Sequence, residues 1–129
     1  MSDTIHFSYL TASYDIHLPM LHELPVSNFR KMAKWMLKED WRNEEAIRIL
    51  DAYIPEHVAD LKAAWAQASS DYQHGWKKVA NKRSRKPEIR DTLRENDRLT
   101  RALKISKTHY DRWLKLQAVW DDTKHQMNL

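Results

Sequence analysis

Residues 87–126 read PEIRDTLRENDRLTRALKISKTHYDRWLKLQAVWDDTKHQ, forty residues with a proline only at the first position and no glycine. Proline suits the first position of a helix, because its φ is preset and its missing N–H would go unpaired there anyway. From that point Ile89, Leu93, Leu99, Ala102, Leu103, Tyr110, Trp113, Leu114, Gln117 and Trp120 mark one broad face at helical spacing, with Asn96 among them. At about 100° per residue, Arg90, Arg94, Arg98, Arg101, Lys104, Arg112 and Lys115 gather within a third of the circle on the opposite side. The stretch therefore predicts one long helix, apolar on one side and Arg-rich on the other.

Moving towards the N-terminus, Asn81 to Lys86 is polar and basic and predicts a turn. Before it, Val58, Leu61, Trp65, Ala68, Tyr72 and Val79 alternate in steps of three and four, interrupted at Gly75, which could cap or kink the helix. Two long amphipathic helices joined by a short turn predict an antiparallel hairpin. Folding it near residue 84 sets Tyr72 near Asp97 and Trp65 near Lys104. Trp113 and Trp120 then overhang and are expected to pack on two shorter helices. One of these runs from a cap at Ser27 or Asn28 to about Leu37, with Phe29, Met32, Ala33, Met36 and Leu37 inward. The other is capped by Asn43, buries Ala46, Ile47, Leu50 and Ile54, and stops at Pro55, which opens the next helix.

Residues 1–26 have a different pattern. Ile5, Phe7 and Tyr9 alternate with polar residues, as do Tyr14, Ile16 and Leu18. Around Thr11-Ala12-Ser13 they form either a small β-hairpin or an irregular arm, since the turn lacks Gly or Asn. The expected fold is an all-α single domain over 1–129. It comprises the arm or hairpin (1–26), two short helices (27–54) and a long helical hairpin (55–126) with its basic turn at 81–87.

Composition supports helices: there are one Gly, four Pro and a 42% hydrophobic fraction with six Trp and five Tyr. The absence of Cys excludes disulfides, thiol catalysis and thiolate metal sites, and fits a reducing compartment. The N-terminus lacks a basic region followed by an apolar run, and no apolar run reaches the ~18 residues of a membrane span. The chain is expected to be soluble and cytoplasmic, without a membrane partner.

The positive charge is concentrated. Residues 77–107 hold twelve bases against four acids, whereas residues 1–60 hold six bases against ten acids. Such a block attracts polyanions. The candidate nucleic-acid-binding residues are Lys77, Lys78, Lys82, Arg83, Arg85, Lys86, Arg90, Arg94, Arg98, Arg101 and Lys104. Local pairs such as Asp97–Arg101 and Asp91–Arg94 leave most of them unmatched. Trp76, beside Lys77-Lys78 and one turn after Tyr72, resembles the aromatic-basic interleaving used to stack unpaired bases, although core packing is the favoured reading for both rings. No zinc-finger, RNP or basic-zipper pattern supports sequence-specific readout. Helices at 27–37 and 43–54 make a poor helix-turn-helix, because the second offers only Arg48 among Glu44, Glu45 and Asp51.

Catalysis finds little support. No His pair has the i,i+4 spacing of HExxH, Asp121 with His125 is only a two-ligand pair, and one Gly cannot build a phosphate loop. Ser69-Ser70-Asp71 with His74 is local to one helix. The chain is expected to be a non-enzyme with no cofactor or metal, binding a nucleic-acid backbone largely independently of sequence, as part of a nucleoprotein complex. The alternative is a protein-interaction, inhibitor or regulatory module that docks the basic ridge on an acidic or nucleic-acid-binding protein. A self-assembling scaffold, with Asn96 fixing register in a homo-oligomer, is a third reading.

Overall fold

The structure is a computed structural model that describes residues 3–78 and 87–127. It is mostly helical, with a small two-stranded antiparallel sheet at the N-terminus. Strands β1 (Thr4–Tyr9) and β2 (Ala12–His17) pair from Thr4↔His17 to Tyr9↔Ala12. Of the two readings of the N-terminal arm, the hairpin is therefore the one formed. Its loop is Leu10-Thr11 rather than Thr11-Ala12-Ser13, and Leu18 belongs to a 3-10 helix (Leu18–Glu23). Leu10 takes a left-handed φ of 55°, a region that costs a branched side chain about 1–2 kcal/mol. Two contacts hold it there: its N–H donates to Glu39 Oε2 at 2.9 Å, and Arg42 Nη1 donates to its carbonyl at 2.8 Å.

The first long helix, α1 (Val26–Lys38), starts from the carbonyl of Pro25, which accepts from the N–H groups of Asn28 (3.0 Å) and Phe29 (3.1 Å). Neither Ser27 nor Asn28 is its cap, since the helix has already begun before them. A short 3-10 helix (Asp40–Arg42) leads into α2 (Glu44–Gly75), and α3 spans Pro87–Gln126. The expected break at Pro55 does not occur, and α2 is continuous through it. Proline removes only the N–H that would reach the Asp51 carbonyl. Both residues are exposed, so water can satisfy that oxygen, while Leu50, Ile54 and Val58 keep the helix anchored from the buried side.

The chain divides into two compact units, Met1–Val58 with Asp111–Leu129, and Ala59–Tyr110. In the first, Ile5, Phe7, Ile16, Leu18 and Leu21 join Phe29, Ala33, Met36 and Leu37 of α1, the start of α2 and the end of α3 in one core. Trp113 and Trp120, both on the apolar face read from the sequence, are fully buried. The Trp120 indole donates to Asp51 Oδ1 at 2.8 Å, and Trp113 meets His57 edge-on at 4.3 Å. Burial, with Asp3 nearby, raises the Tyr53 phenol pKa beside them.

In the second unit the Trp65 ring stacks on Tyr110 at 5.6 Å, and Gly75 lies against Leu99. Trp65 therefore meets Tyr110 and not the expected Lys104, whereas Asp71 lies near Arg98, the neighbourhood expected for Tyr72 and Asp97. A Cβ at position 75 would come within 2.9 Å of Leu99 Cδ1, so only glycine lets that leucine in without a shift. Gly75 ends α2, as one of its two sequence readings has it, but without the left-handed φ of a glycine cap.

Candidate nucleic-acid interface

The unit Ala59–Tyr110 holds thirteen bases against six acids, and the other unit nine against twelve. The protein's positive excess thus lies wholly in one compact unit. Of the eleven candidate residues, Lys77, Lys78, Arg90, Arg94, Arg98, Arg101 and Lys104 are described, and all seven are exposed. Lys82, Arg83, Arg85 and Lys86 lie outside the described residues.

Arg98 differs from the other six. Its Nε donates to Glu95 Oε2 at 2.9 Å and its Nη2 to Oε1 at 2.5 Å, a two-pronged pair across one helical turn. These hydrogen bonds hold the Glu95 carboxyl below the usual carboxylate range, and they raise the Arg98 pKa, with a further contribution from nearby Asp71. The pairs expected at Asp97–Arg101 and Asp91–Arg94 do not form among the described residues. Sequence reasoning missed Glu95, although an acid three residues before a base on a helix is a standing signal for this pair. Six of the seven described candidates are left without an ion pair among the described residues, on a unit where local acids cannot neutralise them.

The end of α2 is tied to α3 by one amide. Asn96, buried on α3, accepts the Lys77 N–H at 2.9 Å and donates to the Lys77 carbonyl at 2.6 Å. One side chain thereby satisfies both peptide groups of a residue beyond the helix end, where they have no intrahelical partner. Asn96, read from the sequence as a register residue between copies, makes these bonds within its own chain. The Trp76 N–H donates to the Tyr72 carbonyl at 3.0 Å, so the backbone is held on both sides of Trp76. The Trp76 side chain is 42% exposed, against the expectation of core packing, whereas Tyr72 is half-buried. A cleft of about 230 Å³ in this unit is lined by Gly75, Lys77, Asp91, Thr92, Glu95 and Asn96.

His74 Nδ1 lies 2.8 Å from the Ser70 carbonyl, which can only accept, so that nitrogen carries the proton and is no base for the Ser70 hydroxyl. Asp71 accepts from Gln67 instead of orienting His74. Among the described residues no group of three or more His, Asp or Glu could hold a metal ion. None of the described helices is long and apolar enough to cross a membrane.

A second exposed indole, Trp41 (72%), sits in the other unit on an open cleft of about 670 Å³. Asp40, Glu44 and Asp51 line that cleft with Arg48 and Lys124, a poor setting for phosphate. No protein-family model, curated protein or solved structure matches the chain.

Proposed function

We propose that the protein is a non-enzymatic nucleic-acid-binding module, acting through the unit Ala59–Tyr110 without a cofactor and largely independently of sequence, as a subunit of a nucleoprotein complex. In this reading α2 and α3 form an antiparallel hairpin, and Lys77, Lys78, Arg90, Arg94, Arg101 and Lys104 follow the phosphate backbone. Lys82, Arg83, Arg85 and Lys86 add charge from the connecting segment. The observation that carries the proposal is the segregation of charge, with thirteen bases against six acids in one unit and six of the seven described candidate cations without an ion pair among the described residues. Counterion release drives such binding, and backbone contacts of this kind carry no sequence information.

The test is titration of labelled oligonucleotides at two salt concentrations. A dissociation constant on the order of 1–100 µM is expected at low salt, weakening by about two to three orders of magnitude between 50 and 200 mM. The triple reversal Arg90→Glu, Arg94→Glu and Arg101→Glu is expected to abolish binding while the circular dichroism spectrum stays helical. Unchanged affinity in that variant removes the proposal and leaves the ridge to an acidic protein partner.

A further inference from the structure

Trp76 is a large aromatic side chain left substantially in water on the one unit that carries the positive excess. Exposure of this kind loses hydrophobic burial, and here it is not the result of a loose chain. The Trp76 N–H is bonded to Tyr72, and both peptide groups of the next residue are held by buried Asn96. Tyr72 lies beside the indole, with ring centroids 6.2 Å apart and planes at 34°. Lys77 and Lys78 follow directly, both exposed. The other aromatic rings described in this unit are used internally, Trp65 on Tyr110 and Tyr72 half-buried. Trp41, more exposed still, stands on a cleft of mixed charge, with Asp40, Glu44 and Asp51 against Arg48 and Lys124, in the unit that has no positive excess.

We infer that the nucleic acid bound is single-stranded, and that Trp76 is the platform on which one unpaired base stacks while Lys77 and Lys78 take the adjoining phosphates. This rests on the nucleic-acid reading above and names its substrate class. A duplex keeps its bases stacked on one another and offers this ring nothing, whereas every unpaired base has a face to present to it. Holding the backbone on both sides of Trp76 means little ordering is left to do when the base arrives.

The experiment compares a single-stranded 12-mer of deoxythymidine with a duplex of equal phosphate count, by anisotropy at fixed low salt, for the wild type, Trp76→Ala and Trp76→Phe. The expected result is tighter single-strand binding by the wild type and a loss of about tenfold or more in Trp76→Ala for the single strand alone. Trp76→Phe is expected to retain most of the affinity, and thermal melts of both variants to stay near the wild type. Loss of equal size on both ligands, or no loss on the single strand, overturns the inference while leaving backbone binding intact. Failure of the wild type to bind either ligand removes both readings.

Discussion

Two asparagines, Asn43 and Asn96, do the same job at opposite ends of α2, each closing a peptide group that secondary structure leaves open. Asn43 Oδ1 accepts the Ser8 N–H at 2.8 Å, and its Nδ2 donates to the carbonyls of Ser8 (2.9 Å), Met36 (3.1 Å) and Glu39 (3.1 Å). It ties β1 and the end of α1 to the start of α2, and it is 2% exposed. Truncation strands several partly buried groups at once, so Asn43→Ala is expected to cost about 2–3 kcal/mol in urea denaturation. A change below about 0.5 kcal/mol would contradict this. The sequence indicated Asn43 only as a helix cap and Asn96 only as a polar residue on an apolar face. Neither partner was legible, because both lie on other elements and no spacing rule reaches them. Glu95 offers a second test at this scale. Glu95→Gln removes a negative charge and frees Arg98, so oligonucleotide affinity should rise several-fold, with one further counterion released. The Glu95 carboxyl pKa is lowered in the fold, so its pairing contributes in full above the ordinary carboxylate pKa and is lost as pH falls through the lower folded value. The same release of Arg98 should therefore follow acidification, and an NMR titration of the Glu95 carboxyl carbon will show its position.

At the scale of elements, the periodic stretches were read well and the punctuation was not. The long helix from Pro87 to Gln126 follows directly from its apolar spacing. Its threonines fit because Thr92, Thr100, Thr108 and Thr123 each donate to the carbonyl four residues back. Pro55 was taken for a helix stop, yet tertiary anchoring on the buried side outweighs the one missing hydrogen bond. That bond still has a cost. Pro55→Ala restores it and is expected to stabilise the protein by about 1–3 kcal/mol, seen as a higher urea midpoint. A lower midpoint would mean the proline is needed for the path of α2. The hairpin loop behaves similarly. Leu10 occupies a conformation that glycine adopts freely, held by Glu39 and Arg42. Leu10→Gly should be neutral or mildly stabilising, whereas β-branched Leu10→Val should lose about 1 kcal/mol, as thermal melts will record. The loop was misplaced by one residue in the sequence because its chemistry is supplied from residues 39–42 and not by the turn itself.

For the whole molecule, the arrangement of charge was the most legible feature and the source of the functional proposal. The bases seen in the sequence at 77–107 belong to one compact unit, and nine of the ten acids of residues 1–60 belong to the other. What the sequence concealed was which cations are already committed: Arg98 is held by Glu95, while the expected pairs at Arg94 and Arg101 do not form among the described residues. It also concealed that Trp76 stays in water, since its spacing matches that of the packed residues around it. The central claim is that six exposed cations, Lys77, Lys78, Arg90, Arg94, Arg101 and Lys104, engage phosphates together. The dependence of oligonucleotide affinity on salt measures their number most directly. A plot of log K against log salt concentration is predicted to be linear with a slope of about −4 to −5, falling by roughly one-half in the triple neutralisation Arg90→Gln, Arg94→Gln and Arg101→Gln. A slope between 0 and about −1 would contradict the account.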